Sequence, residues 1–383
     1  MSEHFFRMRL AIASLLFLLP SLAFAADEPK IRIVKSTKLN IAVTGLAGSD
    51  AETLKRDLTN SGYFTITGAD QAQYTAKGGG GGAELQGSLS DREGKTALNK
   101  TYSSAGRDRI HRFADDIVEA ATGARGMAST KIAFVGTRTG KKEIYLCDAD
   151  GSNLMQLTHD GTISVSPSIS PDGHSLIYTG YQSGYADVYR IQLASGARSR
   201  IIKFPGTNSG ARFSPDGGRI AVTLSKDGNP EIYVTSSSGG SARRLTRSAG
   251  VDSSPTWSPN GSEIIYSSDE GGSPQLYRMS SSGGSTARLA TGFGYNTEPN
   301  WSPDGKKIAF NTRAGGAFTV AILDLAGGGV RTVGEGQDPV WGADSRHLIF
   351  ASGGSLVMLD AQTGTRTTVV SGAGKVSEPT WSR

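Results

Sequence analysis

Ser170-Pro171-Asp172-Gly173 returns as Ser214-Pro215-Asp216-Gly217, Ser258-Pro259-Asn260-Gly261 and Ser302-Pro303-Asp304-Gly305, each copy 44 residues after the last. A degraded copy, Gly342-Ala343-Asp344-Ser345, follows 40 residues on, and another 40 residues reaches Ser382 beside Arg383. Proline at the second turn position presets φ, Asp or Asn tolerates the next backbone state and bonds locally, and Gly closes the turn. Self-similarity with a period of roughly 40–45 residues marks stacked four-stranded blades.

The residues around each turn agree. The segment before it ends in Ile169, Phe213, Trp257, Trp301, Trp341 or Trp381. After it comes a β-branched or aromatic run, as in Leu176-Ile177-Tyr178 or Ile264-Ile265-Tyr266. A third strand follows (Asp187-Val188-Tyr189, Glu231-Ile232-Tyr233), then a Ser/Gly turn and a fourth strand such as Arg243-Arg244-Leu245-Thr246. Short strands bounded by turn residues at this spacing predict an all-β array, and its radial form is a propeller. Complete repeats begin near Ser166, Gly210, Ser254, Thr297 and Gln337. An upstream unit has a second strand at Lys131–Val135, a third at Glu143–Leu146 and a fourth at Gln156–Thr158, but no first strand. Ser377-Glu378-Pro379-Thr380-Trp381-Ser382 is a first strand with nothing after it. The two fragments complement each other. The expected fold is mainly β: a six-bladed propeller closed by the C-terminal strand and preceded by a small α/β domain.

The first residues read as an export signal over 1–25. Arg7 and Arg9 precede an apolar run from Leu10 to Leu19, and Ala23-Phe24-Ala25 supplies a small-x-small site with cleavage between Ala25 and Ala26. No cysteine follows the run and no second hydrophobic stretch exists, so the mature chain is expected to be exported, monomeric and without a transmembrane segment. Residues 26–38 form an extended tail with apolar alternation at Ile31, Ile33 and Val34. Residues 39–126 are expected as the α/β domain and 127–383 as the propeller. Within the former, Ser49 and Glu52 read as a capping box, Gly78–Gly82 as a flexible loop, and Arg107–Thr122 as an amphipathic helix stopped by Gly123.

Little in the sequence points to catalysis. The net charge of +5 is small and dispersed, with no Lys/Arg block and no nucleic-acid-binding pattern. His4, His111, His159, His174 and His347 do not cluster in sequence, and no G-x-S-x-G, H-E-x-x-H or P-loop occurs. Asp148-Ala149-Asp150-Gly151 has part of a calcium loop but lacks its third acid and closing Glu, so it reads as a turn. Cys147, the one cysteine, reads as a packed thiol. No cofactor, metal or catalytic residue is expected.

The chain resembles the TolB family, the periplasmic component of the Tol-Pal system of Gram-negative bacteria. The resemblance rests on domain order and on Ile31-Arg32-Ile33-Val34, Asp57-Leu58-Thr59-Asn60-Ser61-Gly62-Tyr63-Phe64, Asn208-Ser209-Gly210-Ala211-Arg212-Phe213 and Asn296-Thr297-Glu298-Pro299-Asn300-Trp301. It implies a periplasmic, non-enzymatic adaptor supporting outer-membrane constriction in cell division and envelope integrity. The propeller would bind the peptidoglycan-associated lipoprotein Pal through loops before each first strand, with Thr207, Asn208, Asp252, Ser253, Asn296, Thr297, Glu298, Gln337, Asp338, Ser377 and Glu378 as candidates. The tail would bind the inner-membrane protein TolA through Glu28, Ile31, Arg32, Ile33 and Val34, by strand addition. Lys35, Lys38 and the glycine run depart from the family pattern. Two other readings stay open: a propeller that binds or hydrolyses a small ligand in its channel, and a peptidase's regulatory propeller, for which no hydrolase domain is present.

Overall fold

Each Ser-Pro-Asp-Gly turn is closed by its own side chains. Ser175 N donates to Ser170 Oγ at 2.9 Å, Ser170 Oγ donates to Asp172 Oδ1 at 2.5 Å, and His174 N donates to the same carboxylate at 2.9 Å. Gly173 takes the left-handed conformation, φ 72°. Ser214, Ser258 and Ser302 each accept the equivalent N–H at 2.9 Å, from Arg219, Glu263 and Lys307. The degraded copy lacks that serine. There Asp344 accepts from the N–H groups of Arg346 and His347, both at 3.0 Å, and Ser345 takes φ 57° in place of glycine.

These turns join the first two strands of five blades. The computed structural model describes residues 38–80 and 84–382. It contains six four-stranded antiparallel sheets, with inner strands Ser164–Ile169, Asn208–Phe213, Asp252–Trp257, Asn296–Trp301, Gln337–Trp341 and Val376–Trp381. The first blade is composite: Val376–Trp381 pairs with β6 (Lys131–Gly136), followed by β7 (Glu143–Asp148) and β8 (Met155–Gln156). Val376 lies opposite Gly136, and Trp381 opposite Ile132. Ser382 N donates to Lys131 O at 2.9 Å, Lys131 N to Ser382 Oγ at 2.8 Å, and Trp381 Nε1 to Thr130 Oγ1 at 2.6 Å.

The apolar runs that lack polar alternation are explained by burial on both faces. Ile132, Phe134 and Tyr145 pack against Ile349 and Met358 of the sixth blade, while Ala133, Val135 and Ile144 pack against Leu176 and Tyr178 of the second. A strand covered on both sides reads as a continuous hydrophobic run. Cys147 is packed into the same interface, and burial pushes its thiol up to about 12. It is a filler.

Upstream, β1 (Leu39–Thr44), β2 (Phe64–Ile66), β3 (Tyr74–Gly79), β4 (Leu85–Asp91) and β5 (Thr96–Tyr102) form one sheet in the order β2-β1-β3-β4-β5. Helices α1 (Gly48–Asn60) and α2 (Asp108–Thr122) cover it over a core of Ile41, Leu54, Leu58, Phe64, Leu89, Phe113 and Ile117. Gly123 ends α2 at φ 71°, as the sequence predicts.

Two expectations are corrected here. The N-cap of α1 is Ala47, with no side-chain cap; Ser49 lies inside the first turn. Gly78 and Gly79 belong to β3, which sits between β1 and β4 and so holds the sheet together. At Gly78 the lack of a side chain is a packing requirement: a Cβ there would meet Leu46 at 2.6 Å, and one on its partner Gly87 would meet Phe113 at 2.6 Å, whereas Gly79 has open space. The expected signal segment, the site at Ala25 and Ala26, and the tail residues Glu28, Ile31, Arg32, Ile33 and Val34 lie outside the described residues.

Removing residues 375–383 strips β6 of its pairing partner and exposes the pocket that Val376 and Trp381 fill. Loss of buried side chains of this size costs about 3 kcal/mol or more, so the urea midpoint of the truncated chain is expected to fall sharply. An unchanged midpoint would contradict the closure.

Candidate functional site

The six inner strands line a central channel, which encloses about 650 Å³. Near its start, each carries one residue in the left-handed region: Ser166 (φ 54°), Gly210 (62°), Ser254 (53°), Glu298 (50°), Asp338 (56°) and Glu378 (51°). Every one falls at a register shift between the inner strand and its neighbour. A bulge re-aims a side chain, and here all six face the channel mouth. Five of the six are not glycine, although left-handed backbone is unfavourable for them.

Three of these residues are acids on adjacent blades. Ser254 Oγ donates to Glu298 Oε1 at 2.6 Å, Glu378 N donates to Asp338 Oδ2 at 2.9 Å, and Ser166 N donates to Glu378 Oε2 at 2.7 Å. The bonds stitch one blade to the next around the mouth. Burial, then the negative charge of Glu298, pushes Asp338 up to about 7. Burial also raises Glu298, with the Ser254 bond opposing. Arg212 is a cation on this wall, with Lys142 at the mouth, and its Nη1 donates to Ser166 O and Pro167 O at 3.3 Å. The sequence reading expects mainly Ser, Thr and Asn along the channel; the bulges add this arc of carboxylates and one guanidinium.

The predicted docking residues divide into three groups. Glu298, Gln337, Asp338, Ser377 and Glu378 line the mouth. Thr207 is exposed on the rim, and Ser253 and Thr297 are half-buried. Asn208, Asp252 and Asn296 are fully buried. Asn208 Oδ1 accepts from Phe204 N at 2.9 Å, Asp252 Oδ1 accepts from Ser248 Oγ at 3.0 Å, and Asn296 Nδ2 donates to Gln275 Oε1 at 2.8 Å. These three side chains hold the loops that shape the face. Ile163, Tyr181 and Tyr185 were not anticipated, yet all three are exposed on this side. Their signal was apolar residues in loop columns that are otherwise polar.

A second polar cluster joins the α/β domain to the propeller. His111 of α2 is 1% exposed. Its Nδ1 lies 2.7 Å from Asp57 Oδ2 of α1, and its Nε2 lies 3.5 Å from Asp148 Oδ2 of β7. Lys131 pairs with Asp148 at 2.6 Å, while Arg56 and Arg107 pair with Asp150 at 2.7 and 2.5 Å. Beside them Arg346 pairs with Asp360 at 2.6 Å, donates to Gly62 O at 2.9 Å and stacks on Tyr63 at 4.1 Å. His111, Asp148 and Asp150 are close enough to hold a metal ion. The charge balance disfavours one: Lys131, Arg56 and Arg107 already answer the carboxylates, and a divalent ion would leave a buried positive excess. Burial alone would lower the pKa of His111, but the bonds to Asp148 and Asp57 outweigh it and raise it to about 9. The imidazolium is a clamp between domains.

A ring of six blades with an open, polar channel mouth and a clamped α/β domain defines a propeller scaffold protein. The chain matches the TolB beta propeller domain over residues 118–383. It belongs to that family. It is 42% identical over 131 residues to a protein TolB homolog of Chlorobaculum tepidum, covering 31% of this chain and 30% of the relative. It is 32% identical over 235 residues to the Tol-Pal system protein TolB of Bordetella avium, covering 52% and 53%. The chain thus spans about half or less of the length of these curated relatives. The crystal structure of TolB from Acinetobacter baumannii superposes with a TM-score of 0.82 at 28% identity, over 91% of this chain and 97% of that one.

Two measurements check the titrating groups. Because the folded pKa of His111 is about 9 against 6.5 unfolded, its stabilisation is complete below about pH 6.5 and lost as pH rises through 9. His111→Gln is expected to cost about 3 kcal/mol at mildly acidic pH and to flatten the alkaline decline of the unfolding midpoint. Asp338 is raised from 3.8 to about 7, so its ionisation weakens the fold as pH climbs through 7. Asp338→Asn should stabilise the fold by on the order of 4 kcal/mol at alkaline pH, read as a higher unfolding midpoint, and leave it unchanged below about pH 4.

Proposed function

We propose that this chain is a non-enzymatic periplasmic adaptor of a Tol-Pal-type envelope complex, supporting outer-membrane constriction at division and envelope integrity. The observation that carries the reading is likeness to the Acinetobacter TolB structure across both the α/β region and the propeller, over 91% of this chain. The name "Tol-Pal system protein TolB", borne by the Bordetella relative, supplies the pathway. No helix among the described residues is long and apolar enough to cross a membrane. In this reading the channel-mouth face receives Pal, and residues 26–34 receive TolA.

The adaptor reading suits the chemistry of the face. The carboxylates of Glu298, Asp338 and Glu378 accept hydrogen bonds from Ser254, Glu378 N and Ser166, which fixes them as structural links between blades. The two buried His–Asp pairs, His111–Asp57 and His347–Asp344, lie in the domain junction and beside a turn, away from that mouth. The small-ligand reading has one supporting observation, the convergence of Arg212 with the three acids in the channel.

A pull-down with the soluble domains of Pal and TolA separates these readings. Thr207→Arg with Ser253→Arg and Gln337→Arg should abolish Pal capture and leave the melting temperature within a degree or two, since all three avoid the buried loop anchors. Deleting residues 26–34 should lose TolA and retain Pal. Undiminished Pal capture by the triple variant would remove the mouth face from the proposal.

A further inference from the structure

The loops around the channel mouth differ in chemistry, and on one third of the rim the difference is concentrated. Between β6 and β7 the chain places Arg138, Lys141 and Lys142 in solvent, and Lys375 is exposed in the loop before Val376–Trp381. Thr137 ties the two loops together: its Oγ1 accepts from Lys375 N at 2.8 Å and donates to Lys375 O at 3.4 Å. Three cations of one loop are therefore joined at one corner by Lys375 from the far end of the propeller. Lys142 approaches Glu378 at 4.0 Å. Among the described residues no ion pair engages Arg138, Lys141 or Lys375.

The basic corner runs directly into an apolar one. Ser164 N donates to Lys142 O at 2.9 Å, and Tyr181 N donates to Ile163 O at 3.1 Å, so backbone bonds chain the first blade's rim to the second's. On that second rim Tyr185 is 72% exposed, Ile163 45% and Tyr181 37%. Lys142, Ile163 and Tyr181 line the mouth together. Asp160, in the same loop as Ile163, is matched by Arg198 at 2.6 Å, which leaves Arg138, Lys141 and Lys375 without an acidic partner among the described residues. Single exposed hydrophobic side chains are ordinary, whereas a connected group rimmed by charge marks an interaction surface.

We propose that this arc, the cations Arg138, Lys141, Lys142 and Lys375 with Ile163, Tyr181 and Tyr185, docks an acidic protein surface that has an apolar centre. The inference rests on the adaptor reading and adds the chemistry of the partner. Uncompensated cations steer an acidic partner and set the association rate. The tyrosines anchor it, because a Tyr offers a large amphipathic contact with few rotatable bonds. Charge favours this occupant over an apolar one, and the exposed rings favour a protein over a bare polyanion.

The test measures association and dissociation rates of the full mature chain with the soluble domain of Pal, across a salt series, alongside vesicles of anionic phospholipid. Arg138→Glu with Lys141→Glu and Lys375→Glu should slow association about tenfold and flatten its salt dependence. Tyr181→Ala with Tyr185→Ala should speed dissociation by about 30-fold and leave the salt dependence intact. Both variants should melt with the parent, since the substituted side chains stand in solvent. If both bind Pal as the parent does, the arc is overturned while the adaptor reading stands. If the parent itself fails to bind Pal, the adaptor reading falls and this inference with it. Vesicle binding that only the charge variant loses, with Pal binding untouched, would make the occupant a lipid surface and overturn the proposal.

Discussion

The pairing of Val376–Trp381 with β6 is the constraint on which the rest of the molecule depends. A blade's inner strand is the wall of the channel, and the wall of the first blade is supplied by the far end of the chain. Without it, β6 would present an unpaired edge, and the hydrophobic faces of the first and sixth blades would lose the residues between them. Trp381 shows how closely the closure is fitted. Its ring packs among Ile132, Ile349 and Met358, and its indole N–H reaches Thr130, just ahead of β6. The segment leading from α2 into the propeller is thus pinned by the last residues of the chain.

Closure also gives the face its uniformity. Because each inner strand repeats the same bulge, six residues, five of them with side chains, converge at the mouth whatever their identity. The scaffold fixes position; the residue at each position is free to vary. Carboxylates occupy three neighbouring positions and bond across blade boundaries, so part of that freedom is used to hold the ring together. Outside the ring the rim loops carry the chemical contrasts, with cations on the composite blade and exposed aromatic rings on the next.

The α/β domain is attached through buried charge. His111, Asp57, Asp148 and Asp150 with Lys131, Arg56 and Arg107 form one network, and Arg346, Asp360 and Tyr63 form another beside it. Such groups are weak contributors when compared with a well-packed apolar interface, but removing one partner leaves the others buried and unanswered. The junction is therefore specific in orientation.

The sequence by itself determined the architecture. The repeated Ser-Pro-Asp-Gly turn works through bonds among residues two to five apart, so its spacing could be counted along the chain, and the incomplete ends could be matched into one blade. The same locality explains Gly123 as a helix stop. Tertiary structure alone decided what lay between distant residues. Gly78 and Gly79 read as a loop because their strand is specified by pairing with Gly87 and Gln86 and by Leu46 against Gly78, not by their own propensity. His111 read as an off-stripe helix residue because its carboxylate partners come from α1 and from the propeller. Asn208, Asp252 and Asn296 read as surface candidates because only the folded loops bury them, against groups such as Ala186 O, Ser248 and Gln275. Arg138, Lys141 and Lys142 are neighbours along the chain, but only ring closure brings Lys375 beside them to complete the corner. Local bonds can be read from spacing, whereas a surface assembled by closure exists only once the ends have met.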